Sequence, residues 1–161
     1  MNIHNEIRVI FPSLSCNEAF ARTTAGAAAA QLDPSAAEVI DIKTAVSEAV
    51  TNCIVHGYRD RQGNIEMICR VTDDNTLYIR IRDKGCGIPD VKKAMEPLFT
   101  TASCEERAGL GFAVMESFMD SVKVNSTVGK GTTVIMKKKI AAKEIYTAAM
   151  SRREGADEEL K

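Results

Sequence analysis

The sequence has no apolar run near the roughly 20 residues needed to cross a bilayer, no long block of lysine and arginine, and no cysteine pair at CxxC spacing. The first absence excludes a membrane-spanning helix. The second argues against nucleic acid as the main partner, because duplex binding leans on clustered cations and the formal net charge here is only -1. The third removes the usual zinc and dithiol signatures. Five cysteines (Cys16, Cys53, Cys69, Cys86 and Cys104) form an odd, scattered set, expected to be reduced thiols that act as small apolar residues. The chain opens on polar residues, without the n-region and h-region of a signal peptide, so a cytoplasmic location is expected.

What is present is an ordinary globular composition, 45% apolar and 27% charged over 161 residues. That length fits one domain and buries a core without disulfides or metals. Ile7, Val9 and Phe11 alternate with Arg8 and Ile10, which predicts a first strand. Ser15 and Glu18 have capping-box spacing, followed by an Ala-rich helix to about Gln31. Asp33-Pro34 reads as an N-cap with proline at the first helical position. A second helix to about Val55 then carries Val39, Ile42, Val46, Ala49, Val50 and Cys53 at helical spacing. Gly57 is its expected stop.

Ile65, Met67, Cys69 and Val71, the turn Asp73-Asp74-Asn75, and Leu77, Ile79 and Ile81 predict a hairpin with one buried and one wet face. A short helix over Asp90–Met95, a third main helix over Leu110–Phe118, a strand at Val122 and Val124, and a last strand over Thr133–Ile140 complete the domain. The expected class is α+β: a two-layer sandwich of three helices on one face of a mixed, mostly antiparallel sheet. Residues 1–140 form one domain. Residues 141–161 form a tail, partly helical and then charged and disordered from about Ser151.

Candidate chemistry sits in three places. Glu48, Asn52 and His56 are four apart, on one helix face. Asn offers a carbonyl oxygen to a hard cation, and a magnesium ion takes few protein ligands when phosphates supply the rest. Glu can orient or deprotonate a hydroxyl. The same triplet also fits a solvated polar stripe, with His56 a structural residue at the helix end. Asp83 shares a face with Leu77, Ile79 and Ile81 by the period of two, so it points inward, where a lone charge is costly. The glycines of Asp83-Lys84-Gly85-Cys86-Gly87-Ile88 let backbone approach closely, and a carboxylate at such a rim can accept from an exocyclic amine. An ordinary turn is the alternative. Gly109-Leu110-Gly111 opens a helix whose N–H groups and dipole suit phosphate, with Arg107 just before it.

Taken together, Glu48-Ala49-Val50-Thr51-Asn52, Asp83–Ile88, Gly109–Gly111 and Gly131-Thr132 resemble, in order, the boxes of the GHKL (Bergerat) ATPase superfamily of gyrase, heat-shock chaperone, histidine-kinase and mismatch-repair ATPase domains. The phrases Ala49–Tyr58, Pro97–Thr101 and Gly111–Asp120 resemble its anti-sigma kinase branch, serine/threonine kinases of spore-forming bacteria. Val55, where many histidine kinases carry a basic residue, fits that branch.

The resemblance implies ATP and magnesium as cofactors. Glu48 is then the catalytic base and Asn52 the metal ligand. Asp83, Gly85, Gly87, Leu110, Gly111 and Thr132 line the nucleotide. Thr100, Thr101 and Ser103 belong to a lid, Arg107 lies near the γ-phosphate, Gly109 also binds the nucleotide, and Arg22 meets a partner. The implied partners are an RNA polymerase sigma factor, an anti-anti-sigma factor phosphorylated on serine, and a second copy in a homodimer. Two alternatives stay open: a nucleotide-gated sigma-binding module without kinase activity, and a kinase serving a general-stress sigma factor.

Overall fold

A computed structural model describes residues 2–96 and 110–141. Strand β1 (Ile3–Pro12) is followed by helix α1 (Cys16–Ala29), a 3-10 turn (Ala30–Leu32) and helix α2 (Ala36–Asn52). Strands β2 (Asn64–Thr72) and β3 (Thr76–Arg82), short helix α3 (Val91–Ala94), helix α4 (Gly111–Phe118), and strands β4 (Ser121–Thr127) and β5 (Gly131–Lys139) complete it. The sheet order is β1-β2-β3-β5-β4. Each pairing is antiparallel, so the expected two-layer sandwich is built on a wholly antiparallel sheet.

Alternation in the strands decides which face is covered. Ile65, Met67, Leu77, Ile79, Ile81 and Met136 are fully buried, facing Ala21, Ala25 and Ala28 of α1 and Ile42, Val46, Ala49 and Val50 of α2. Each large side chain buried in this way contributes roughly 1.5–3 kcal/mol. The alanines of α1 let α2 lie close, and the stem of Lys43 covers Gly26, where a Cβ would sit 3.3 Å from Lys43 Cε.

The other sheet face is polar but not uniformly wet. Ile68 lies there between its cross-strand partners Arg8 and Arg80, yet is 3% exposed. Arg8 and Arg80 both donate to Glu66, Arg80 Nη2 at 2.7 Å, so their aliphatic stems flank the isoleucine. The hydrogen bond from Arg8, reinforced by that from Arg80, holds the Glu66 carboxyl below the usual carboxylate range.

Helix starts differ from the sequence expectation. Ser15 makes no capping hydrogen bond. Glu18 instead accepts from the Ser47 hydroxyl on α2 and pairs with Arg22 at 3.7 Å, because the packed neighbour outcompetes the local cap. Helix α2 begins after Ser35, not Asp33. Asp33 takes a left-handed φ of 52° to end the 3-10 turn. Ser35 Oγ accepts from the Glu38 N–H (3.2 Å) while Glu38 Oε2 accepts from the Ser35 N–H (2.7 Å), a two-way capping box. These bonds, the backbone one first, hold the Glu38 carboxyl below its ordinary range. At the other end, α2 stops at Asn52, short of the expected Val55, and the chain continues as a π-helical turn, Cys53–Tyr58, that takes in Gly57.

The cap supports α2, which carries the candidate site. Ser35→Ala is expected to lower stability by about 1 kcal/mol, read as a fall in the urea midpoint at unchanged slope.

Candidate functional site

Helix α2 brings Glu48 and Asn52 to its C-terminal part, both half-buried. The first residue of α4 meets them there. A Cβ on Gly111 would lie 3.0 Å from Glu48 Oε2 and 3.3 Å from Asn52 Nδ2, so any other residue at the start of α4 would crowd both side chains. Leu110 precedes it, exposed, and supplies no side-chain cap. Two polar side chains and a bare helix start thus share one small space.

Asp83, just beyond β3, is 2% exposed. Its Oδ1 accepts from the N–H of Gly85 (2.7 Å) and of Thr132 (3.3 Å), while its own N–H donates to the Thr132 carbonyl (2.9 Å). Burial pushes the Asp83 carboxyl above its ordinary value, and the Gly85 and Thr132 N–H groups oppose that rise. Gly57 faces it: a Cβ there would sit 3.2 Å from Asp83 Cγ. Cys53 lies beside it, its thiol pushed well up by burial and then by the Asp83 charge. Gly131 makes the close return of β5 possible, at φ 104° and where a Cβ would clash with the Asp83 carbonyl oxygen at 2.2 Å, a position open to glycine alone.

The π-helical turn joins these two groups. Its first residue follows Asn52, and its end grips the segment after Asp83. The Lys84 N–H donates to the Tyr58 hydroxyl (2.9 Å), which itself donates to the Asn64 carbonyl. The Cys86 N–H donates to the Gly57 carbonyl (2.9 Å) and Cys86 Sγ to the His56 carbonyl (3.1 Å). Gly85 packs against the Gly57 backbone and Gly87 against Thr127. Ser126 closes the far side, accepting from the Ile88 N–H (2.8 Å) and bonding the Thr132 hydroxyl (2.9 Å). π-turns of this kind cluster at functional sites.

The structure therefore gathers Glu48, Asn52 and Gly111 at one end of the π-turn, and Asp83, Gly85, Gly87 and Thr132 at the other. Arg22 is elsewhere, exposed on α1. Thr100, Thr101, Ser103, Arg107 and Gly109 lie outside the described residues, as do Cys104 and the tail from residue 142. The described cysteines are free thiols, and burial pushes Cys69 up to about 12. Sequence reasoning missed Gly57 and Tyr58 as site residues, and Ser126. A polar residue at the inward period of Val122 and Val124 was the available signal for Ser126; the role of Tyr58 depends on a loop contact that no local pattern encodes.

Comparison with known proteins agrees with this geometry. A family model described as "Histidine kinase-like ATPase domain" matches residues 12–138. Proteins named "Anti-sigma F factor" are similar over most of the chain. The one from Clostridium acetobutylicum is 51% identical over 139 residues, 86% of this chain and 96% of its own. That from Caldanaerobacter subterraneus subsp. tengcongensis is 55% identical over 140 residues, 87% of this chain and 97% of its own. Among solved structures, the RsbU and RsbW domains of a Mycobacterium tuberculosis protein superpose with a TM-score of 0.58 at 16% identity, covering 84% of this chain and 32% of that one. Full-length ShkA in complex with AMPPNP gives 0.55 at 16% identity, covering 80% and 30%. At that identity the structural likeness bears on the fold alone.

The Tyr58 hydroxyl holds both the Lys84 N–H and the Asn64 carbonyl. Tyr58→Phe is expected to cost about 1–3 kcal/mol by leaving them unpaired, measured by denaturant unfolding, with faster amide exchange at Lys84.

Proposed function

This chain belongs to the anti-sigma F factor family of histidine kinase-like ATPase domains, and on that premise we propose that it is an ATP-dependent protein-serine/threonine kinase that also holds a sporulation sigma factor inactive. Its phosphoryl acceptor is a serine of the anti-anti-sigma antagonist, and it works in the cytoplasm as a homodimer. The observation that carries this reading is the convergence of Glu48, Asn52 and Gly111 at one end of a π-turn whose other end packs on buried Asp83.

The residues present fit a purine nucleotide. Asp83 is a desolvated acceptor already braced by two N–H groups. A carboxylate so placed reads an exocyclic amine, and burial makes a missing partner costly. The small residues Gly57 and Gly111 leave open the space that a Cβ would fill beside Asp83 and beside Glu48. The amide oxygen of Asn52 suits an ion that arrives with phosphates and takes one protein oxygen.

In this reading Asn52 holds magnesium, which supplies neutralisation of phosphate charge when bound. Glu48 accepts the proton of the attacking serine hydroxyl. Gly85, Gly87 and Thr132 shape the purine end, and Leu110 and Gly111 the phosphate end. Thr100, Thr101 and Ser103 are assigned to the lid, Arg107 to the γ-phosphate, Gly109 to nucleotide binding, and Arg22 to partner contact. Phosphoryl transfer asks mainly for positioning and charge neutralisation, which a site this sparse can provide.

Incubation with labelled ATP and a purified anti-anti-sigma protein is expected to label a serine of that protein; no label would favour a nucleotide-gated binding module. Asp83→Asn is expected to weaken ATP binding about 100-fold while keeping the fold, and wild-type affinity by calorimetry would refute the purine assignment. Glu48→Gln is expected to keep ATP affinity while slowing transfer about 10²–10⁴-fold; turnover near the wild-type rate would remove Glu48 from the role of base.

A further inference from the structure

Among the described residues, three that are not glycine carry a positive φ: Asp33 (52°), Asn75 (57°) and Arg59 (54°). Asp and Asn tolerate that region, because their short polar side chains can bond locally. Arginine lacks such a side chain. Its ψ of −114° also takes Arg59 out of the left-handed helical basin, where Asp33 sits at ψ 51°. The Arg59 side chain is exposed and makes no ion pair among the described residues, so no such contact offsets the backbone. The conformation comes from the turn. The Arg61 N–H donates to the Tyr58 carbonyl (3.1 Å), closing a four-residue turn. The φ and ψ of its second residue are those of type II′, which ordinarily asks for glycine. An arginine there stores strain.

That strain sits at the end of the π-turn. The Arg59 N–H donates back to the Ile54 carbonyl (3.2 Å), five residues earlier. Turning over the Tyr58–Arg59 peptide would return the φ of Arg59 to the ordinary negative range. The same rotation swings the Arg59 N–H off Ile54 and the Tyr58 carbonyl off Arg61. Residues Arg59, Asp60 and Arg61 are exposed, so water can replace those partners. The Ile54 carbonyl is left to accept from the N–H one residue earlier, that of Tyr58, as in an α-helix. Strain relieved on one side and exposed hydrogen bonds lost on the other are of the same order. The balance between the two forms is therefore close.

The strained form is the one that completes the site. In it Gly57 sits where a Cβ would be 3.2 Å from Asp83 Cγ, its carbonyl accepts from the Cys86 N–H, and the Tyr58 hydroxyl accepts from the Lys84 N–H. Winding the turn as α-helix removes the extra residue that brings these groups over the glycine segment. We propose that the Tyr58–Arg59 peptide is a switch, flipping between this strained form and a relaxed one, and that a purine nucleotide on Asp83 selects the strained form. The nucleotide half of the proposal rests on the purine reading of Asp83; the flip does not. A ligand that binds one form better draws the equilibrium toward it, so occupancy of the site and the state of the turn are coupled.

Glycine and proline lock the two forms separately. Glycine adopts a positive φ without strain, whereas proline fixes φ at about −65° and has no N–H to give Ile54. Amide relaxation dispersion on the unaltered chain is expected to show microsecond-to-millisecond exchange at Gly57, Tyr58 and Arg59, quenched by saturating ATP. In R59G the exchange is expected to vanish without nucleotide, the urea midpoint to rise, and ATP to bind about twofold tighter, the gain for two forms near balance. R59P, shown to fold by a cooperative urea transition, is expected to bind ATP at least about tenfold more weakly. The switch is overturned by absence of exchange at those amides in the unaltered chain, by undiminished exchange in R59G, or by wild-type ATP affinity in folded R59P. Should R59P not fold, the dispersion comparison decides alone. Failure of the unaltered chain to bind ATP in calorimetry sinks the purine reading and nucleotide selection with it, and loss of exchange in R59G then upholds the flip by itself.

Discussion

A carboxylate taken out of water must be given hydrogen bonds or it unfolds its surroundings, and around Asp83 that requirement organises the site. Two backbone N–H groups, from Gly85 and Thr132, are spent on one of its oxygens. To deliver them, the chain after β3 must turn at once and β5 must begin within contact of it, which is why Gly131 adopts a positive φ against the Asp83 carbonyl. Gly57 must bring the π-turn over the carboxyl group without a side chain in the way. The acidic group is thus costly to the fold and held by it, buried and braced.

The helical layer serves this arrangement by closeness. Alanines on α1 and the buried stripe of α2 let the two helices press on the sheet, and the extra residue of a π-turn rotates the chain after Asn52 toward the glycine segment. The N–H and carbonyl groups of that turn are then partly spent on its neighbour, as in the Cys86 to Gly57 bond. The turn thereby connects the Glu48–Asn52 end to the Asp83 end through backbone and Tyr58 hydrogen bonds.

The sheet has two faces with different economies. Inside, apolar alternation is answered by helices. Outside, Ile68 is kept dry by arginine stems whose heads share Glu66, so the β1–β2 half closes its own charge. On the β3–β5–β4 half, the exposed Arg82, Lys123, Lys137 and Lys139 have no ion-pair partner among the described residues.

Much of this was legible from residue order. Strand alternation identified Leu77, Ile79 and Ile81 as inward, and the same period carried Asp83 into the interior, where it is 2% exposed. The spacing of Glu48 and Asn52 put them on one helix face, and the ordered glycine segments carried the family. Local chemistry was ambiguous wherever two groups could serve one role. Ser15, Asp33 and Ser35 all have cap chemistry, and only packing decided that Glu18 would turn to Ser47 while Ser35 took Glu38. The π-turn, the Tyr58 clamp and the burial of Ile68 were invisible for one reason: each depends on a partner far along the chain, Lys84 for Tyr58 and Arg8 for Ile68. Periodicity and short motifs report what a residue prefers among its neighbours in sequence. Which distant backbone group it meets is decided only when the sheet register and the helix packing close together.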